Sequence, residues 1–298
     1  MTTLLMVLVL LAGAYLVAVL EGWVSTGRLR PAGPILSAVA LLGRESLLPR
    51  KPDRIFFEVA PPLLLVSAVL AFAVLPLSPG LIAADLATGA LFVNAALAFV
   101  MVALLMAGWG PDGAYAMVGG FRFLGQLVAY SMLIVMPITA VAMRAESLVT
   151  TAVVESQAAL PNAVYQPFGL AAFLVAAMAV CFLPPFDLPT APGELAGGVM
   201  AEYTGWRLAV MRLARAALVF TVAASVTVFY LGGWLGPVLP PWAWNAIKTL
   251  LVAAAMLLAG RFVPRLREEH LLAWCWKIGI PLALFNIFYV GVLLLVVG

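Results

Sequence analysis

One histidine, two cysteines and little charge set the first limits on this 298-residue sequence. With His270 alone, bis-histidine haem ligation is excluded, and so is a closed zinc site of the usual ligand sets. Cys181 and Cys275 both lie in apolar runs; two cysteines alone hold no iron–sulfur cluster and build no disulfide scaffold. No G-x-x-x-x-G-K-[S/T] phosphate loop is present. Any redox or nucleotide chemistry served by this chain therefore has its centre on another subunit. Charged residues make up only 10%, against about 25% in an average soluble domain. That scarcity excludes an ordinary soluble enzyme and a disordered chain.

What is abundant is apolar: 65% of residues are hydrophobic and the mean hydropathy is +1.14. A helix crossing a bilayer needs roughly 20 mostly apolar residues. Eight such spans are expected, at 4–20, 55–77, 81–107, 116–143, 168–183, 216–235, 246–263 and 274–297. The fold class is therefore all-α, one polytopic integral membrane domain over residues 1–298 with no room for a soluble one. The first span lacks a basic leading region and an A-x-A cleavage site, so it reads as a retained anchor rather than a signal peptide. Between Pro34 and Pro49 an apolar stretch too short to span carries Arg44 and Glu45 near its end, and reads as an amphipathic helix on the membrane surface. Residues 147–157 are expected to form a second surface helix.

The net charge of +3 would suggest nucleic acid in a soluble protein. Here fourteen of the sixteen Lys and Arg fall in segments on one side of the membrane, and only Arg144 and Lys248 on the other. By the positive-inside bias that side is cytoplasmic, both termini are outside, and the basic balance calls for no nucleic-acid partner. No internal repeat is visible, which gives no support to a paired-repeat transporter.

A charge at the bilayer centre costs at least about 2.5–3.5 kcal/mol, so polar residues in spans carry the information. Glu58 reads either as an interfacial carboxylate beside Arg54 or as part of a polar pathway. Asp85 reads as solvated; Asn94 is a weaker, uncharged candidate. Arg122 and Gln126 share one face of a helix, where the arginine either snorkels or meets a buried carboxylate. The densest polar region runs from Pro184 to Arg207. Four prolines forbid a helix from Pro184 to Pro192, whereas 193–203 is free to be helical. On such a helix Glu194 and Glu202 would stand about 80° apart around the axis and about 12 Å along it. They would relay protons through water or, as composition favours, pair with Arg207, Arg212 and Arg215.

Phe186-Asp187-Leu188-Pro189, Glu194-Leu195 and Glu202-Tyr203-Thr204-Gly205 resemble the P-F-D-L-P-E-A-E-x-E-L…E-Y-S-G signature of the subunit-1 (H-type) membrane family of respiratory complex I. The signature is shared by the related membrane subunits of [NiFe] hydrogenases and formate hydrogenlyases. Residues 116–130 are similar to the family's A-L-L-G-G-L-R-x-x-x-Q-x-x-S-Y helix. Leu231-Gly-Gly-Trp234 matches L-G-G-W, Pro264-Arg-Leu-Arg267 with Trp276-Lys277 matches P-R-x-R…W-K, and residues 41–49 look like the end of its first cytoplasmic helix. The matches run in order from residue 41 to residue 277.

The resemblance implies a junction subunit without a catalytic residue or metal of its own. It would dock cluster-bearing hydrophilic oxidoreductase subunits and couple electron transfer to proton or sodium movement through antiporter-like membrane subunits in a prokaryotic cell membrane. Iron–sulfur clusters, and NiFe in the hydrogenase branch, would sit on those partners, with quinone at the junction in quinone-reducing members. It assigns proton-path or junction roles to Asp187, Glu194, Glu202, Glu58, Arg122 and Gln126. It assigns arm docking to Arg28, Arg30, Arg44, Glu45, Arg207, Arg265 and Arg267.

The chain departs from the family at several of its carboxylates. Ser131 follows Tyr130 where the family has Tyr-Glu, and Val180-Cys181 stands near its Ala-Glu. Thr190 and Pro192 stand where two further glutamates sit, and the Arg212–Arg215 neighbourhood replaces a glutamate of span six. The R-x-G-P-N-R-V-G-P motif is reduced to Arg28-Leu-Arg-Pro-Ala-Gly-Pro34, which together with the short chain leans toward the hydrogenase-like branch. The competing readings are a cation-coupled secondary transporter and a non-pumping membrane anchor for a soluble oxidoreductase.

Overall fold

Hydrocarbon offers the backbone no hydrogen-bond partner, so apolar runs of this length satisfy their own amides as helices. The computed structural model describes residues 2–297. Among the described residues there are twelve α-helices and no strand. They are α1 (Thr2–Thr26), α2 (Ala32–Leu42), α3 (Arg54–Ala73), α4 (Gly89–Trp109), α5 (Ala114–Ala145), α6 (Thr150–Glu155), α7 (Asn162–Tyr165), α8 (Pro167–Val180), α9 (Gly205–Tyr230), α10 (Pro241–Phe262), α11 (Glu268–Trp274) and α12 (Ile280–Val297). A π-helical turn, Cys275–Gly279, joins α11 to α12 in one continuous rod.

Seven of these helices, counting that rod as one, are long and apolar enough to cross a membrane. The eighth expected span, 168–183, is α8, whose 14 residues reach only about 21 Å. The short α7 precedes it and a turn through Cys181 and Phe182 follows it, so this expected span falls short of the seven long helices. The expected spans 55–77 and 81–107 also shift. Pro76, Pro79 and Gly80 break the run, and the apolar segment between α3 and α4 is a loop that buries Leu75 and Leu77. Asn245 of α10 holds this loop by donating to the carbonyls of Pro76 and Leu77 at 3.0 and 3.2 Å. Hydropathy alone counts such a buried apolar loop as span.

Helix α9 is the axis of the bundle, packed by α1, α3, α10 and, more lightly, α8. Every residue from Ala216 to Tyr230 is buried, including Thr221, Ser225 and Thr227, whose hydroxyls bond to backbone carbonyls. The helix starts at Gly205, eleven residues before the expected span; its first three turns carry Arg207, Arg212 and Arg215, which hydropathy leaves out of a span. Helix α1 presents Met6, Leu10, Ala14 and Val17 to the core at helical spacing and leaves Leu4, Leu8 and Leu11 outward. The absence of a side chain at Gly13 lets the Phe220 ring close on α1, since a Cβ there would lie 2.5 Å from it.

Helix α2 is shorter than the expected surface helix. It ends at Leu42, and residues 44–49 run on without helix toward α9. Its Ile35, Leu36, Val39 and Leu42 are exposed and only Leu41 is buried, as befits a helix lying in an interface. The stretch 147–157 is half buried rather than superficial. α6 sinks Thr150, Val153 and Val154 into the bundle, and the Thr150 hydroxyl donates to Val74 O at 2.8 Å.

Candidate functional site

The turn between α8 and α9 organises one end of the bundle, the end where α1 stops and α3, α5 and α9 begin. Pro184, Pro185, Pro189 and Pro192 keep its first half out of helix. The second half is not helical either, apart from the single 3₁₀ turn Gly198–Met200. Ala196, Gly197 and Gly198 have φ of 49°, 105° and 52°, a left-handed run incompatible with an α-helix. The cause is contact with the first half of the turn. Val199 N donates to Pro189 O at 3.1 Å, and a Cβ on Gly198 would lie 1.9 Å from that same oxygen. Pro189 O also stands 2.5 Å from where a Cβ on Gly119 of α5 would be, so the turn rests on bare helix backbone.

This geometry corrects the helical pairing of Glu194 with Glu202. Glu194 Oε2 instead accepts from Arg122 Nη1 of α5 at 2.7 Å. Glu202 turns toward Gly113 at the start of α5, its Oε1 3.1 Å from that glycine's Cβ position. The hydrogen bond from Arg122 is the main reason the Glu194 carboxyl is held below its ordinary range, with smaller help from Arg122's charge and then from Arg267 and Arg265.

Two further arginines clamp the same region. Arg207, the third residue of α9, is buried. Its Nε donates to Glu58 Oε2 at 3.0 Å, its Nη2 to Glu58 Oε1, and its Nη1 to the Ser46 hydroxyl. The guanidinium also lies 5.3 Å from the Phe57 ring centre. Glu58 therefore has Arg207, 149 residues away, as its partner, with Arg54 a weaker neighbour. Arg265, between α10 and α11, meets Asp187 Oδ2 at 2.9 Å; the carboxylate is almost buried and the arginine half exposed.

Gln126 sits one helical turn below Arg122 and is fully buried. Its Nε2 donates to Ala179 O at 2.8 Å and to Phe186 O at 3.0 Å, tying the end of α8 and the proline turn to α5. The chain before α9 is tied as firmly. Leu47 N donates to Thr204 Oγ1 at 2.9 Å, and Gly205, at φ 60°, leaves room for Arg44 O and Ser46. Residues 44–49 and 203–207, both singled out in the sequence, are thus joined in space.

Of the expected residues, Asp187, Glu194, Glu58, Arg122, Gln126, Arg207 and Arg265 converge here. Arg28, Arg30, Arg44, Glu45 and Arg267 are exposed at the same end. Arg207 differs from its expected docking role in being buried against the chain's own segments. The sequence reading missed Glu268, the first residue of α11. Its Oε1 stands 2.4 Å from the Cβ position of Gly125, so that glycine, between Arg122 and Gln126, is what admits the carboxylate. A glycine one residue before a buried glutamine was the available signal. It also missed Glu21, which meets Arg215 Nη1 at 3.3 Å.

That last pair lies in the wall of a cavity of about 760 Å³ between α1, α2 and α9. Leu11, Leu41 and Leu213 contribute apolar wall, and Arg212 a second positive charge. The volume falls within the range of pre-formed small-molecule sites, apolar with a few polar groups. Among the described residues no cluster of His, Cys, Asp and Glu is suited to a metal.

Helices that leave apolar faces outward, with arginine–carboxylate clamps gathered at one end, define a polytopic membrane protein built around a polar junction. The profile of a family described as NADH dehydrogenase matches residues 24–291. The H subunit of the NADH-quinone oxidoreductase of Syntrophotalea carbinolica is 35% identical over 263 residues, covering 85% of this chain and 80% of that protein. An H subunit of the NADH-quinone oxidoreductase of Syntrophobacter fumaroxidans, numbered 2 in that organism, is 33% identical over 274 residues, covering 89% and 83%. The chain belongs to this family, the H-type membrane subunits of complex I.

Proposed function

We propose that this chain is the junction subunit of an ion-translocating, quinone-reducing oxidoreductase in a prokaryotic cell membrane. The observation that carries the reading is the knitting of the proline turn by Arg122–Glu194, Arg265–Asp187 and Arg207–Glu58 into one polar end. The exposed Arg28, Arg30, Arg44, Glu45 and Arg267 surround it. In this reading they face the cytoplasm and receive cluster-bearing hydrophilic subunits, with both termini outside. The excess of positive charge at this end supports that orientation. The lateral apolar faces contact lipid and antiporter-like subunits. Asp187, Glu194, Glu202 and Glu58, with Arg122 and Gln126, form the polar route through which the docked arm influences ion movement.

Quinone is the substrate class the cavity between α1, α2 and α9 fits. Its lining combines apolar side chains with Tyr15, Glu21, Arg30, Arg212 and Arg215, and it lies beside the exposed α2, on the side from which an apolar chain would enter. The names of both relatives agree with that class. The reduced Arg28–Pro34 motif supports the hydrogenase-like branch as the second reading, in which the docked arm carries nickel.

The test is to tag the chain in its own host, extract the membranes in mild detergent and identify what travels with it. Iron–sulfur subunits and antiporter-like subunits in one band are the expected result. A protein that migrates alone removes the junction reading, and a nickel-bearing large subunit replaces the quinone reading with the hydrogenase one.

A further inference from the structure

At the end of the bundle away from the proline turn, where α5 stops and α8 and α10 begin, α9 presents its free carbonyls. The last carbonyls of an α-helix have no partner within it, and the helix dipole makes that end partly negative. Because α9 is buried from Ala216 to Tyr230, its carbonyl end would offer a cation a place inside the bundle. Side chains fill that place. Gln157 Nε2 donates to Val228 O at 2.9 Å and Asn162 Nδ2 to Phe229 O at 2.8 Å. The half-buried Lys248 of α10 sends its Nζ to the carbonyls of Leu231, Gly233 and Leu235, at 2.7, 3.2 and 2.7 Å. Gly232 and Gly233, at φ 72° and 48°, shape the turn on which these three oxygens converge. Arg144, in the last turn of α5, donates to Asn162 Oδ1, and its guanidinium carbon lies 4.3 Å from the Tyr165 ring centre. Lys248 and Arg144 are the two cations, of sixteen in the chain, that the charge pattern sets apart from the rest. Asp85, Glu146 and Glu155, the acidic residues at this end, are exposed, and among the described residues none of them pairs with either cation. Water and salt screen exposed charges strongly and half-buried ones much less, so the interior of this end is positive. There is a polar strip for that charge to close. Thr221, Ser225, Thr227 and Thr249 bury hydroxyls between the junction and this end, and Thr249 Oγ1 stands 3.4 Å from Thr227 Oγ1.

We propose that Lys248 and Arg144 are the fixed charges of an electrostatic seal that stops protons and metal cations from crossing the bundle along α9. The Lys248 ammonium occupies the carbonyl cage that a free cation would take, and its charge, with that of Arg144, repels the next one. Fixed positive charge in a narrow polar passage is a barrier to protons and cations. Gln157 and Asn162 close the neighbouring carbonyls without adding charge. Such a seal needs only a chain that spans a membrane, so it stands apart from the docking and quinone readings.

The experiment reconstitutes whatever assembly purifies with the full chain into liposomes, with no electron donor present. Valinomycin and a potassium gradient set an inside-negative potential, and an entrapped pH dye reads the rate of proton entry. Entrapped glucose reports any open hole. Lys248→Gln keeps a donor for the carbonyls and removes the charge; Arg144→Gln does the same at the other position. Each is expected to raise proton entry by about tenfold or more, the change in local cation concentration that a lost repelling charge produces in a narrow site. Arg144→Lys keeps the charge and loses the planar fork, and proton entry is expected to stay within about twofold of wild type, well below the increase expected from. Glucose is expected to stay inside in every case. If Lys248→Gln does not assemble, Arg144→Gln beside Arg144→Lys carries the test. Proton entry at the wild-type rate in the neutralised variants overturns the proposal. An equal rise in Arg144→Lys and Arg144→Gln, the outcome for a helix end that has merely come loose, overturns it too. So does escape of glucose from a leaking variant, which shows a hole in place of a lost barrier.

Discussion

Tyr203 stacks on Phe57, ring centres 4.5 Å apart and planes 14° from parallel, and donates its hydroxyl to the Phe57 carbonyl at 3.3 Å. That carbonyl is available because of Pro61. A helix carbonyl accepts from the amide four residues on, and proline has none. The tyrosine of the turn before α9 therefore completes a bond that α3 cannot make for itself. Burial pushes the Tyr203 phenol above its ordinary value, so it remains a donor across the physiological range. The contact couples the proline pair of one helix to the loop that precedes another.

Tyr203→Phe is expected to destabilise the protein by about 1–3 kcal/mol, the cost of a buried carbonyl left without a partner. Pro61→Ala restores an amide to Phe57 O and should recover part of that loss in the double variant. Thermal unfolding in detergent of the wild type, both single variants and the double variant measures the coupling. Strict additivity would show that the hydroxyl and the missing amide do not serve the same oxygen.

Arg207 should matter more than its partner. It is buried and holds both Glu58 and Ser46, whereas the Glu58 side chain is 40% exposed. Water therefore replaces the carboxylate's interactions more readily than the guanidinium's. Arg207→Met is expected to free residues 44–53, where Arg44 and Arg50 offer trypsin sites, before the helices unfold. The loss is about 1–2 kcal/mol, discounted from a fully buried pair for the exposure of Glu58. Limited trypsin digestion in detergent, with the fragments weighed, checks the order. Faster cleavage in Glu58→Ala than in Arg207→Met would contradict it.

Much of this is legible in the residues alone. The apolar runs give the long helices, and residues 41–49 and 203–207 both stand out before the bond from Leu47 to Thr204 joins them. Other features depend on contacts no local pattern carries. The left-handed run at 196–198 is set where Pro189 O presses on Gly198; the local sequence leaves a helix possible there, while Gly197 and Gly198 equally permit the left-handed conformation, so the choice lies in that contact. Arg207 finds Glu58 across 149 residues and outweighs Arg54, four positions away, which is the only partner that local spacing offers. The loop between α3 and α4 reads as membrane because its apolar side chains are buried by protein instead of lipid.

The pairing of Arg122 with Glu194 predicts a pH dependence with a definite sign. The folded state holds the Glu194 carboxyl lower than the unfolded chain does. A depressed carboxyl contributes stability that is fully present above its unfolded value and is lost as pH falls through the folded one. The turn around Glu194 should therefore be equally protected at pH 6 and 8, and loosen only on acidification below the ordinary carboxylate range, about pH 4. Glu194→Gln should flatten that acid limb. Amide hydrogen exchange at 190–197 across pH, corrected for intrinsic rates, is the measurement. An acid limb that persists in Glu194→Gln assigns the effect to another group.

Gly198 is the position where the turn has least freedom. Its φ of 52° disfavours any side chain, and a Cβ would stand 1.9 Å from Pro189 O. Backbone oxygen cannot swing aside as a flexible side chain does, so Gly198→Ala must displace the Pro189 segment or unwind the 3₁₀ turn. Either movement carries Asp187 and Glu194 away from Arg265 and Arg122. The expected cost is about 1–3 kcal/mol for the strained backbone alone. Gly43→Ala is the matched control: that residue has φ −80°, and its Cβ would make only ordinary contacts, at 3.7 Å or more. We expect Gly198→Ala to lower the amount of chain recovered in assembled complex, while Gly43→Ala leaves it close to wild type. Quantitative native electrophoresis of membranes expressing each variant at equal levels reads this directly. Equal recovery of Gly198→Ala and wild type would mean that the turn accommodates the methyl and that its left-handed geometry is not what sets the junction.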